Sequence, residues 1–345
     1  MSGLWYYQQG ENDDIILASR IRLLRNIEGY TFPCKMTEKE RISLNMRVRK
    51  ELPDITPLLN SGISYTDLPE LSNEEREAFR ERVLINEKAL SGEAGTGVFV
   101  SEDEAFSMTL NSSDHLRLLL SCHGQGLPAL YKTIGGIEDI IGERLPFSYS
   151  EKYGFKTSSV SNVGTGMRAY IVMHIPLLSE RKDFGALSAE MSKYGVVMKA
   201  AENVKGKPGC GLYVLYNQRT LGLSETGIME LLQSVSDKLL HEERKARTEI
   251  SSMNLSDRAF RSYGVLKYAV KMDLWEGLWH LSNLMLGASE GYIKEGGKSN
   301  TYELMIGIHP GNLQMNYGAF LDEEELKEKR AEYIREAIRD FSIIR

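Results

Sequence analysis

The spacing of apolar residues changes character several times along this chain, and each change predicts an element. Residues 1–13 are mostly polar and predict a loose lead-in. Asp14-Ile-Ile-Leu-Ala-Ser-Arg-Ile-Arg-Leu-Leu-Arg-Asn26 is β-leaning and carries three arginines. Thr37-Glu-Lys-Glu40 and Ser72-Asn-Glu-Glu75 have the capping-box pattern. In that pattern the hydroxyl accepts from the N–H three residues on, and the glutamate reaches back. They predict helices running to about Leu52 and about Leu90, separated by the breakers Pro53, Pro57 and Gly62. From Gly95 the period shortens. Val98-Phe-Val100 and Phe106-Ser-Met-Thr-Leu110 read as strands joined by the acidic turn Ser101-Glu-Asp-Glu104, and His115 to Cys122 as a third strand.

A helix is predicted from Pro128 to Arg144. The glycine loop Asn162-Val-Gly-Thr-Gly166 precedes an apolar run from Met167 to Ile175, and a helical stretch begins at Pro176 and continues toward Tyr194. The Gly/Pro-rich segment 206–211 is a loop before the strand Leu212 to Tyr216, and a helix follows from about Ser224 to Arg247. The polar segment Ser251 to Ser256 is the candidate domain boundary. Beyond it the helical period holds over 258–272, 274–286 and 323–341. Strands first and helices last, with hairpin-length connections, predict an α+β fold. The expected organisation is a catalytic-type domain over 14–250, with an antiparallel sheet flanked by helices, and a mainly helical domain over 256–345.

Composition narrows the function classes. The 345 residues include 42 Lys+Arg and 48 Asp+Glu, a formal net charge of −6. No global field attracts nucleic acid. No apolar run approaches the ~18 residues of a membrane span, and the N-terminal residues lack a signal-peptide pattern. Cys34, Cys122 and Cys210 are too few and scattered for a disulfide framework or zinc site. The expectation is a soluble cytoplasmic protein without metal ligands of its own, binding neither nucleic acid nor membrane.

Three constellations carry chemistry. In Ser19-Arg20-Ile-Arg22 the two arginines share a strand face and form a double guanidinium clamp suited to phosphate; the bland alternative is a solvated sheet edge. In Asn162-Val-Gly-Thr-Gly-Met-Arg168 two glycines let backbone N–H groups approach an anion, with Arg168 adding charge; the alternative is a tight turn. In Asn111-Ser-Ser-Asp-His-Leu-Arg117 a carboxylate beside a histidine suits acid–base work, while a hairpin turn capped by Asp114 explains the same residues. His174, in an apolar run, reads as a satisfied core histidine.

Taken together and in this order, these motifs resemble the phosphagen (ATP:guanidino) kinase family, and most closely its bacterial protein arginine kinase branch. Asn217-Gln-Arg-Thr-Leu-Gly222 and Arg261-Ser-Tyr-Gly-Val-Leu266 extend the resemblance toward the C-terminus. It implies ATP, with Mg²⁺ held mainly through the phosphates, bound by Ala18, Ser19, Arg20, Ile21 and Arg22, by Arg117, by Arg168, Ala169, Tyr170, Ile171 and Val172, and by Lys199. It also implies protein substrates bearing arginine, a homodimer, and as partners a zinc-binding activator, a heat-shock repressor and a Clp-type unfoldase.

The chain departs from the family at the acceptor end. Where the family has Asn-Glu-Glu-Asp-His, Ser112 and Ser113 replace both glutamates, leaving Asp114 as the one candidate base. Ser159 stands where the family has a reactive cysteine, and Lys199 where it has an arginine. The mobile-loop glutamate is replaced, with Glu202 out of register. A nucleotide-contacting histidine falls near Lys88. Of the family's Arg-Asp-x-x-Arg-Ala phosphoarginine pocket only Arg330 and Ala331 remain. Two expectations follow. One is a protein arginine kinase with impaired catalysis. The other is a catalytically inactive pseudokinase that acts as an adaptor in stress-response regulation and Clp-dependent proteolysis.

Overall fold

The computed structural model describes residues 4–7, 12–201, 207, 209–296 and 300–344; Glu202 lies outside them. An eight-stranded antiparallel sheet forms the centre. Its strands are β1 (Ile16–Arg25), β2 (Ile63–Asp67), β3 (Gly97–Ser101), β4 (Phe106–Leu110), β5 (Leu116–His123), β6 (Met167–His174), β7 (Val196–Ala200) and β8 (Leu212–Asn217). Their spatial order is β2-β3-β4-β5-β1-β6-β8-β7. The arginine-bearing β1 therefore sits mid-sheet, between β5 and β6.

Helices α1 (Glu38–Glu51), α2 (Asn73–Glu81), α3 (Leu127–Arg144), α4 (Phe184–Lys193) and α5 (Glu225–Glu249) surround the sheet. Both capping boxes form, at Thr37/Glu40 and Ser72/Glu75. One sheet face is apolar and fully covered. Ile21, Leu23, Met108, Leu118, Ala169 and Ile171 on it pack with Ile134, Ile137, Leu232 and Leu239 of α3 and α5. Burial of apolar area on this face is the main stabilising term for the sheet.

The C-terminal region is helical: α6 (Ser252–Tyr268), α7 (Leu274–Ser289), α8 (Thr301–Gly307), α9 (Pro310–Tyr317) and α10 (Glu323–Ala337). It packs on one end of the opposite sheet face, where Ala18, Val172 and Leu212 join Leu278, Tyr302, Met305 and Ile308. A polar network reinforces the junction. Asp14 accepts from Arg244 at 2.6 Å and from Arg247 at 2.7 Å, and Arg247 also reaches Glu243 and, on the turn after α7, Glu290. His174 is fully buried there with its Nε2 2.8 Å from Ser282 Oγ, and burial holds its pKa down at about 3.

Several elements differ from the sequence expectation. Trp5 and Tyr6 are each 5% exposed and pack into the C-terminal core, so this part of the lead-in is anchored, not loose. The second helix stops at Glu81 instead of Leu90. Val83 takes φ +65° and redirects the chain so that Ile85 and Ala89 pack with Leu68 and Val98. The stretch from Pro176 splits into a single turn, Pro176–Ser179, and α4. The Ser251 side chain caps α6 at Asn254 N–H, so a helix begins within the polar segment Ser251 to Ser256. The edge strands β2 and β7 and the short helices α8 and α9 add elements the periodicity did not predict. No helix among the described residues is long and apolar enough to cross a membrane.

Candidate functional site

The register of β1 decides where its arginines go. Arg22 lies directly opposite Arg168 on β6, Arg20 opposite Tyr170, and Leu24 opposite Arg117 on β5. Opposed residues in an antiparallel pair share a face, as do residues two apart on one strand. Arg20, Arg22, Arg117 and Arg168 therefore occupy one face, opposite to the helix-covered one. The ladder continues outward through Tyr170–Tyr216 and Val172–Val214 to Lys199 on β7. Four arginines and a lysine from four strands thus line a single face.

Arg25, three residues from Arg22, points to the other face. It is 1% exposed, donates to Glu138 at 2.5 Å and to the carbonyls of Leu24 and Thr165, and lies 3.5 Å over the Phe155 ring. The open-face cations have nothing comparable. Among the described residues none of the five has an ion-pair partner. Arg20 donates to Tyr302 Oη at 3.2 Å and sits over Trp5, and Arg22 donates to Asn162 Oδ1 at 3.0 Å. Arg168 and Lys199 lean on Tyr216 at 5.4 and 5.9 Å. The Nε atoms of Arg20, Arg22 and Arg168 and Nη1 of Arg117 are buried without an acceptor. Burial pushes the Arg117 pKa down to about 10, with Arg22 and Arg20 adding to the fall, and burial likewise lowers Arg22. Both remain charged at neutral pH. Buried cations without acceptors are costly, and an anion laid across this face supplies what they lack.

The glycine loop is held close to the cluster. Leu24 N–H donates to Gly166 O at 3.0 Å. Gly166 has φ +61°, and a Cβ there would strike Leu24 O and the Arg25 guanidinium, so a side chain is excluded. Asn162, at the loop's start, is the residue that fixes Arg22.

The candidate residues do not all converge. Ser19, Ile21, Ala169 and Ile171 point to the covered face and are each essentially unexposed. The Ser19 hydroxyl is committed to the turn after β5, donating to Gly124 O and accepting from Gly126 N–H. Ala18, Tyr170 and Val172 are on the arginine face. Val172 and Arg20 line a cavity of about 210 Å³ shared with Glu81, Val214, Tyr302 and His309. Lys88 is exposed, 3.8 Å from Glu93. Arg330 and Ala331 are 4% and 1% exposed, and Arg330 donates to the carbonyls of Ile308 and Met272, tying α10 to its neighbours.

The turn 111–117 differs in kind. Asp114 is 1% exposed, and its Oδ1 already accepts from Asn26 Nδ2 and Ser158 N–H, both at 2.7 Å. Only Oδ2 is without a partner. The Asp–His pair does not form an acid–base couple. His115 Nδ1 accepts from Ile27 N–H, its Nε2 is 2.9 Å from Thr31 O, and burial lowers its pKa. Ser112 is buried with its hydroxyl unpartnered, and Ser159 is exposed against Ser161 Oγ at 2.9 Å. Among the described residues no group of three or more His, Cys, Asp or Glu is placed to hold a metal ion. No local pattern signals Tyr302 and Trp5, which reach Arg20 from distant segments, or Tyr216.

An antiparallel sheet flanked by helices is the fold this chain shares with the phosphagen-kinase class. Residues 45–246 match the family described as ATP:guanido phosphotransferase, C-terminal catalytic domain, and residues 252–343 match the protein-arginine kinase McsB C-terminal domain. The protein-arginine kinase of Halothermothrix orenii is 32% identical over 96% of this chain and 95% of its own, and that of Bacillus velezensis 34% identical over 97% and 93%. A duplicated taurocyamine kinase from Schistosoma mansoni, solved with transition-state-analogue components, aligns with TM-score 0.57 and 26% identity over 66% of this chain and 33% of that one. Lombricine kinase, at 20% identity, shares the fold with TM-score 0.60 over 72% and 71%. The chain belongs to the ATP:guanido phosphotransferase family, in its bacterial protein-arginine kinase branch.

Proposed function

We propose that this protein binds ATP–Mg²⁺ on the arginine face and phosphorylates protein arginine weakly at best, as an impaired member of its family. Arg20, Arg22, Arg117 and Arg168 hold the phosphates, with Lys199 at the rim, and the Val172 end of the face takes the rest of the nucleotide. Their unpartnered buried donors fit a polyphosphate. Mg²⁺ fits as an ion carried by the phosphates, where it neutralises charge on the transferred group. Phosphoryl transfer needs in-line positioning and charge neutralisation more than covalent help, and the unpartnered arginine donors suit that need. The division into a catalytic-type unit over 14–250 and a helical unit over 256–345 belongs to the same proposal.

The observation that carries the impairment is the occupied state of Asp114 beside Ser112 and Ser113. A guanidinium has a pKa above ~12 and offers only donors. It becomes a nucleophile when negatively charged acceptors orient it and one takes its proton. Two serines supply neither, and Asp114 spends one oxygen on Asn26 and Ser158. Loss of a positioned general base costs about 10²–10⁴ in rate.

Intact-mass analysis with ATP, Mg²⁺ and an arginine-rich protein, run beside calorimetric ATP titration, tests the proposal. ATP binding with only trace acid-labile phosphoryl adducts is expected. Rapid adduct formation that disappears in Arg168→Ala would overturn the impairment; absence of ATP binding would overturn the nucleotide site. A second reading, the inactive adaptor, is favoured by the exposed apolar residues around the glycine loop, and complete absence of adducts is its signature.

A further inference from the structure

Three loops meet beside the site. The hairpin around 149–155 pairs with the glycine loop through Phe155 N–H to Gly164 O at 2.8 Å. The glycine loop in turn joins segment 218–223: Thr165 N–H donates to Thr220 O at 3.1 Å, and the Thr220 hydroxyl donates to Val163 O at 2.7 Å. The backbones touch so closely that a Cβ on Gly164 would collide with Thr220 and Leu221, and one on Gly154 with Gly164. The three loops therefore form one continuous surface.

That surface is apolar where it meets water. Val160 is 86% exposed, Tyr149 54%, Leu221 52%, Tyr153 50% and Leu223 39%. Single exposed apolar residues need no explanation, but a contiguous set with a polar rim marks an interaction site. The rim is basic on the side of the arginine cluster, where Lys152, Lys156 and Arg219 are exposed on these loops with the one acidic Glu151, while Asp139 and Glu225 lie on the opposite side beside Phe155. Its neighbour across Asn162 is the arginine cluster. A basic, arginine-rich segment is repelled here, whereas an acidic one is attracted and finds apolar pockets for its anchors.

We propose that this surface is a docking site for an acidic protein segment carrying apolar anchor residues. The segment seats its aromatic or aliphatic side chains on Val160, Leu221 and Tyr153 and its carboxylates on Lys152, Lys156 and Arg219. The site stands on the exposed loops alone and does not depend on the nucleotide reading.

The test uses the full chain and a short fluorescein-labelled peptide of alternating Glu/Asp and Leu/Phe, with a control in which Lys replaces every acid. Fluorescence anisotropy is expected to show binding of the acidic peptide and at least about tenfold weaker binding of the control. Lys152→Glu with Arg219→Glu is expected to weaken the acidic peptide about tenfold or more, as is Val160→Asp with Leu221→Asp, with unchanged thermal midpoints and unchanged ATP affinity without peptide. Equal binding of the two peptides, or full retention in both variants, would overturn the proposal. Sedimentation velocity covers the other occupant: self-association lost in Val160→Asp with Leu221→Asp would assign the surface to a second copy and overturn it too. ATP titration of the same samples separates failure of the docking site from failure of the nucleotide site.

Discussion

Arg22 and Arg25 stand three residues apart on β1 and live in opposite worlds. Arg25 has its charge matched by Glu138, its N–H groups taken by two carbonyls, and an aromatic ring beneath it. Arg22 has one side-chain amide, like-charged neighbours at Arg168 and Arg117, and a buried Nε with no acceptor. Strand alternation puts them on different faces, and that alone separates a structural guanidinium from one held ready for an anion. A second contrast lies along the open face. Its arginine end carries buried donors without acceptors, while the turn 111–117 presents Ser112 and Ser113 beside an Asp114 whose Oδ1 is already bonded. On the function proposed above, the first holds the nucleotide and the second is too poor in carboxylate to activate a guanidinium.

The largest expected effect tests the second contrast. Ser112→Glu with Ser113→Glu restores two carboxylates at the acceptor end, and phosphoryl adducts on an arginine-rich protein should rise by about 10²-fold or more. Circular dichroism melting checks that the variant folds. The first contrast breaks next. Arg25→Ala leaves Glu138 unpaired against the core and should cost about 3–5 kcal/mol, read from urea denaturation. Arg117→Met should do the opposite to the free protein. Removing an uncompensated buried charge raises stability by roughly 1 kcal/mol or more, while ATP binding weakens about ten- to hundredfold through loss of a charged hydrogen bond.

The smallest effect concerns Glu81 at the end of α2. Its carboxylate accepts from Gly311 and Asn312 N–H, both at 2.9 Å, at the start of α9, and it faces the Arg20 cavity. Burial raises its pKa to about 7, with nearby Glu77 adding slightly and the two N–H groups and Arg80 opposing. The folded state then binds a proton that the unfolded state has released, between an ordinary carboxylate pKa and about 7. Stability must fall as pH rises through that window, by at most ~1.4 kcal/mol per pH unit. Glu81→Gln should flatten this slope in melts between about pH 5 and pH 7.

Much of this was legible in the sequence, for physical reasons. The Arg20/Arg22 spacing declares a shared strand face, and the capping boxes at Thr37 and Ser72 declare helix starts. The glycine pair at 164 and 166, which the sequence offers as an anion cradle or a tight turn, meets backbone of this chain at Thr220 and Leu24. What was not legible depends on long-range packing. Nothing local shows that Ser19 and Ile21 would be spent on the covered face while their neighbours form the site. The early end of α2 is set by Ile85 and Ala89 needing the β3 core, against their own helical period. Asp114 reads as available beside His115, whereas Asn26 and Ser158, from two other segments, share its Oδ1. Trp5 and Tyr302 reach Arg20 from opposite ends of the chain, with no pattern to announce it.

Isothermal titration of ATP–Mg²⁺ into the protein and its Arg22→Ala variant tests most directly whether the open-face cations meet a nucleotide's phosphates. The predicted result is saturable one-site binding that weakens with added salt and falls at least about tenfold in the variant. Heats indistinguishable from dilution for the unaltered protein, or equal affinity for both, would contradict it.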